Sequence, residues 1–176
     1  MKLNLILLLS LILLFVACSD EEIAIPQYYA GDQEFGWATG TRSGKEWEAS
    51  GYWQYHQNDS TLIGISFETY NEFGDRRESY SLNEIPVKPG TYTIKGSYLD
   101  VGDGFVGGTY SRLAADGDAV IGLLEVNNDK NGFVTVTEFN TDTKIVKGTF
   151  EVYFTNENNI NPVEIKDGKF ELQLYE

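Results

Sequence analysis

Beyond residue 34 the chain alternates between hydrophobic and polar positions with a period of two. In Thr61–Tyr70, Ile63, Ile65 and Phe67 share one face while Ser66 and Glu68 take the other. In Ile145–Phe154, Val146, Gly148, Phe150 and Val152 alternate with Lys147, Thr149 and Glu151. In Phe170–Tyr175, Phe170, Leu172 and Leu174 alternate with Glu171 and Gln173. Runs of this kind turn one side to a core and the other to water, as strands of an antiparallel sheet do. The last run makes the C-terminal strand part of the core, so removing residues 168–176 is expected to unfold the domain.

Turn-forming residues punctuate these runs: Ser43-Gly44, Asn58-Asp59, Phe73-Gly74-Asp75, Pro89-Gly90, Gly102-Asp103-Gly104, Asp116-Gly117, Asn131-Gly132 and Asp167-Gly168. Their spacing predicts roughly nine to eleven short strands. No window combines a 3.6-residue period with helix caps. The expected fold is all-β, an antiparallel β-sandwich, with a lipocalin-like β-barrel as the alternative, because strand alternation alone does not say whether a sheet closes.

The first residues follow a different pattern. Residues 1–17 hold one Lys and then an apolar run from Leu5 to Ala17 broken only by Ser10. That is the layout of a secretory signal peptide, and it is too short for the roughly 20 apolar residues of a membrane-spanning helix. Phe15-Val16-Ala17-Cys18 resembles the bacterial lipobox, with Phe15 where Leu is usual. The resemblance implies that Cys18 is lipidated and becomes the mature N-terminus. Cys18 is the chain's single cysteine, so acylation would leave no free thiol, and several acyl chains would hold the protein firmly on a bilayer. Ser19-Asp20-Glu21-Glu22 then resembles the acidic export signal of Bacteroidetes surface lipoproteins, which implies the outer face of the outer membrane. Residues 18–33, with Pro26 and Gly31 and no clear period, are expected to be an acidic tether, and residues 34–176 a single all-β domain.

Charge narrows the choice of partner. The 176 residues carry 13 Lys+Arg against 27 Asp+Glu, a formal charge of −14. Such a chain is not a general nucleic-acid binder, since phosphate contact needs a basic surface, and a basic partner would suit it better. One Cys and one His leave no disulfide framework and no Cys/His zinc site.

Three segments together resemble an uncharacterised family of Bacteroidetes lipoproteins known as a domain of unknown function. They are Phe35 through Ala38-Thr39 with Gly44-Lys45, Trp47 and Ala49; Lys88-Pro89-Gly90-Thr91-Tyr92-Thr93-Ile94; and Gly132–Thr137 with Ile145–Phe150 and Asp167–Phe170. The resemblance spans most of residues 34–174. Its motifs are turns and core positions, so it implies a β-fold with a buried Trp47 and carries no catalytic residues.

Three constellations could bind something. Asn127-Asn128-Asp129-Lys130-Asn131-Gly132, running on to Glu138, matches the calcium loop of an EF-hand except that position 1 is Asn. Its flanks, Val120–Val126 and Phe133–Phe139, read as strands, which would carry Glu138 about 20 Å from Gly132 at about 3.3 Å per residue. A hairpin turn is the expectation there. Asp100 and Asp103, with Asp116 and Asp118, form a second acidic, glycine-rich set of hard oxygen donors able to take calcium, although turn chemistry explains them equally. In Gly51-Tyr52-Trp53-Gln54-Tyr55-His56, Trp53 and Tyr55 share one face, with Tyr52, Gln54 and His56 on the other. Trp53 and Tyr55 are the candidate platform for a sugar ring. There is no Gly-x-Ser-x-Gly elbow, P-loop or dinucleotide fingerprint, and no pair of carboxylates stands out.

The functional expectation is a non-enzymatic, surface-anchored outer-membrane lipoprotein that binds an envelope or secreted protein partner or another ligand outside the cell. The alternative is an accessory glycan-binding lipoprotein beside an outer-membrane importer. A hydrolase or a toxin-immunity lipoprotein ranks lower.

Overall fold

The computed structural model describes residues 28–97, 104–156 and 161–175. Within them the chain forms eleven strands: β1 (Tyr29–Ala30), β2 (Gly36–Arg42), β3 (Lys45–His56), β4 (Asp59–Tyr70), β5 (Arg76–Pro86), β6 (Gly90–Ser97), β7 (Val106–Leu113), β8 (Val120–Val126), β9 (Gly132–Asn140), β10 (Ile145–Thr155) and β11 (Val163–Gln173). The signal peptide, Cys18, Asp100 and Asp103 lie outside the described residues.

The sheet closes on itself, so the architecture is the barrel and not the preferred sandwich. Nine strands complete the ring in the order β2-β3-β4-β5-β7-β6-β9-β10-β11, with β11 returning to β2 through pairs such as Phe170↔Ala38 and Leu172↔Gly36. All pairings between these strands are antiparallel except β6 with β7, which run parallel through Ile94↔Val106 and Ser97↔Gly108. β8 sits in a fork: it pairs with β7 on one side and with Phe154 and Thr155 of β10 on the other. One end of the barrel is therefore completed by β6 and β9, the other by β8.

Closure depends on what lines the interior. Trp47, Trp53, Phe67, Tyr80, Tyr110, Phe150 and Phe154 are buried inside it, so among the described residues the barrel interior is a packed core. Phe67 stacks on Phe150 with ring centroids 4.9 Å apart, and Trp47 meets Tyr80 edge-on at 5.3 Å. Glycines at neighbouring inward positions leave room for these rings. A Cβ on Gly168 would lie 2.6 Å from the Phe150 ring, and one on Gly148 would lie 2.6 Å from Phe170. Large side chains facing small ones let a narrow barrel fill without voids.

Several turn signals have other roles. Ser43-Gly44 is a true hairpin turn, with φ of 51° and 76° matching the twist of a two-residue connection. Asp167-Gly168 lies inside β11, where the pairing with β2 shifts register between Lys166 and Lys169: it is a bulge that bends the strand, with Asp167 at φ 53°. Asn131-Gly132 is not a hairpin either. β8 and β9 both run antiparallel to β10, so residues 127–131 step the chain sideways without reversing it. Finally, Tyr29 and Ala30, in the stretch expected to be tether, pair with Tyr70 and Thr69 of β4.

Candidate binding groove

The outward face of β3, β4 and β5 is small in the middle and tall at its margins. Pairing sets Tyr52 opposite Ser66 and Gln54 opposite Gly64, and Ser66 opposite Ser81 on β5. Gly64 and Ser66 thus form a low floor. Tyr52, Gln54 and His56 rise on the β3 side and Asn83 on the β5 side. The chain after β11 adds the remaining wall: Tyr175 donates its backbone N–H to Trp53 O at 2.9 Å, and its ring lies 5.1 Å from that of Tyr52. The result is a groove of about 990 Å³.

Beyond Tyr52 and Tyr175 the depression continues into a second space of about 350 Å³ bordered by Glu34, Phe35, Glu68 and Arg76. There Glu68 accepts from Arg76 Nη1 at 2.7 Å and from the Tyr70 hydroxyl at 2.6 Å. The hydrogen bond to Glu68 raises the Arg76 pKa above its ordinary value. Tyr70 is pushed up to about 12, first by burial and then by its bond to Glu68. Burial also raises Tyr52, against a smaller opposing effect of Ser66. Every phenol along the groove for which a shift is resolved is therefore a neutral ring with a proton to donate at pH 7.

Asn83 stands out among these residues. It is only 6% exposed and it borders the groove, where a carboxamide can both donate and accept. It sits beside a β5 irregularity, where Ile63 pairs with Ile85 but Ile65 with Leu82, and where Glu84 takes φ 62°.

The platform expected from Trp53 and Tyr55 is split. Trp53 is fully buried and its Nε1 donates to Lys144 O at 2.9 Å. Tyr55 meets it edge-on at 5.0 Å but is 38% exposed and borders the groove. Tyr52, Gln54 and His56, on the opposite face of the same segment, border it too. Trp47 is buried as expected, and its Nε1 has no partner.

The acidic candidates within the described residues take part in turns. Asp116 Oδ1 accepts the Asp118 backbone N–H at 3.2 Å. Asn127 Oδ1 accepts from Asp129 N at 3.0 Å, and Asn128 Oδ1 from Gly96 N at 2.9 Å, which ties the β8–β9 step to the end of β6. Glu138 is extended within β9, with Lys147 Nζ 3.9 Å away. Among the described residues, no three His, Cys, Asp or Glu side chains gather as a metal site would require.

A second polar cluster lies inside the barrel at its other end. Glu78, 1% exposed, accepts from Arg42 Nη1 at 2.7 and 2.8 Å, from Thr69 Oγ1 at 3.0 Å, from the Tyr80 hydroxyl at 2.8 Å and from the Tyr110 hydroxyl at 2.6 Å. Burial works to lower the Arg42 pKa, but Tyr80 and Glu78 outweigh it and hold the guanidinium charged. Every oxygen is engaged, which fits a role in joining strands and not in turnover.

Gly64 and Ser66 were legible as outward positions from parity alone. Asn83 continues the outward parity of Ser79 and Ser81, whereas Tyr175 was not legible because it sits past the last strand. Scans against protein-family models, curated proteins and solved structures find no match for this chain.

Proposed function

We propose that this chain is a non-enzymatic binding module, held by a lipidated Cys18 on the outer face of the outer membrane, that takes its ligand in the groove over β3, β4 and β5. The groove carries the reading. Its walls offer aromatic faces and uncharged hydrogen-bonding side chains such as Gln54 and Asn83, and no side chain in it is arranged as a nucleophile beside a base. His56 accepts a long 3.5 Å contact from the Asn58 backbone N–H, and the carboxylate of its cross-strand partner Asp59 is spent on the Thr61 N–H and hydroxyl, unlike the orienting carboxylate of a general base. The lipobox-like and acidic segments, and the resemblance to surface lipoproteins, support the location.

The test is cross-linking on intact cells, with the full chain recovered and its companions identified by mass spectrometry. Wild-type protein is expected to be cut by protease added outside the cell and to bring down a specific companion that Gln54→Ala and Tyr175→Ala lose. An uncut chain refutes the location. A companion retained equally by both variants refutes the groove.

A further inference from the structure

Resting on that reading of the groove, we propose that its ligand is a neutral oligosaccharide, lying against the rings of Tyr52 and Tyr175 and hydrogen-bonded by Gln54, Ser66, His56 and Asn83.

The floor excludes the commonest alternative. A peptide bound in extended form adds to a sheet through a free strand edge. Under the groove β3 pairs with β4, β4 with β5, and β5 with β7 through Ser81↔Thr109, so the ladders consume the backbone groups there. Recognition must come from side chains.

Those side chains have a common character. Carboxamides and hydroxyls both donate and accept, as sugar hydroxyls do, while neutral tyrosine rings present flat apolar faces for the C–H side of a pyranose. Gln54, Asn83 and Ser66 are uncharged, and the cation of Lys144 borders only one end. An anionic polysaccharide would face a chain of formal charge −14 and, at the other end, Glu34 beside the Glu68–Arg76 ion pair, so the ligand is neutral. Length favours several rings over one. Outward positions from Ser50 to His56 span about 20 Å along β3 at about 3.3 Å per residue.

Full chain in detergent would be run on native gels cast with amylopectin, arabinoxylan, yeast mannan or polygalacturonate, and applied to a printed array of neutral glycans. Retardation by a neutral polysaccharide is expected. Tyr52→Ala should weaken it about ten-fold, Gln54→Ala and Tyr175→Ala should weaken it too, and Tyr52→Phe should retain it. Phe73→Ala, on an exposed turn, should leave it unchanged. If Tyr52→Ala does not fold, the exposed Gln54 and Tyr175 variants carry the same test.

Failure of every neutral gel and of the array, or retention by polygalacturonate alone, overturns the saccharide. If the cross-linked companion is still lost in the Gln54 and Tyr175 variants, only the ligand class falls and the groove stands. If it is retained as well, both fall.

Discussion

Replacing Glu78 should be among the most damaging single changes to this barrel, and the structure allows its cost to be worked out. Glu78→Ala leaves the Arg42 guanidinium, whose side chain is 13% exposed, without its carboxylate. It also strips the acceptor from the Thr69, Tyr80 and Tyr110 hydroxyls. Breaking a buried pair by removing one partner costs about 3–5 kcal/mol, and each hydroxyl left unpaired adds about 1–3 kcal/mol. Arg42 keeps some contact with water, so the low end of each range applies and about 6 kcal/mol is expected. That is a large share of the roughly 5–15 kcal/mol that holds a domain together. Arg42→Met alone leaves a buried carboxylate that keeps its three hydroxyl donors and should cost about 3–5 kcal/mol. With Glu78→Leu as the matching single variant, the double variant Glu78→Leu with Arg42→Met removes both charges and should recover much of the loss, giving a coupling of at least about 2 kcal/mol. Urea unfolding read by the fluorescence of buried Trp47 and Trp53 measures all of them. A Glu78→Ala variant within about 1 kcal/mol of wild type, or single losses that simply add, would refute the reasoning.

Two further outcomes follow from the interior. Gly148→Ala would drive a methyl into Thr135 O and the Phe170 ring, prising β9, β10 and β11 apart; a loss of about 2 kcal/mol or more is expected in urea unfolding, and unchanged stability would count against the tight approach. Alkaline pH should also destabilise the fold. Burial, then Glu78, pushes Tyr110 up to about 12, and burial raises Tyr80 well above its ordinary value. Unfolded tyrosines ionise near about 10, so between pH 10 and 12 the unfolded chain binds fewer protons than the folded one, and stability present below pH 10 is lost as pH rises. Melting temperature should fall steeply above pH 10, less so in Tyr110→Phe; equal slopes would show that the buried phenol is not responsible.

Alternation made the strands legible because each strand has one wet face. Ile63, Ile65 and Phe67 point inward and Ser66 and Glu68 outward, as parity requires. Closure was hidden, because the same alternation serves a sandwich, and the cue that a narrow barrel needs inward glycines beside aromatic rings reads locally as turn chemistry. Asp167-Gly168 is the clearest instance: a dipeptide that usually reverses a chain here bends one. The groove was half legible. Parity separated Tyr52, Gln54 and His56 from Trp53 and Tyr55, but could not say which set faced the core, since both sets are aromatic. Tertiary burial decided it in favour of Trp53. Asn83 follows the parity of Ser81, whereas Tyr175 reaches the groove through a tail that no period encodes.

The seam between β2 and β11 joins residues 36–42 to residues 165–172. Until β11 has been made, a growing chain holds β2 and β10 as bare edges, with the aromatic interior exposed between them. Loops this long close slowly, and unpaired edges invite pairing with other chains. The barrel thus has a vulnerable interval in time, set by its topology. A ribosome pause or truncation before residue 163 would leave a species prone to aggregate, whereas the hairpins from β2 to β5 can form as soon as they emerge.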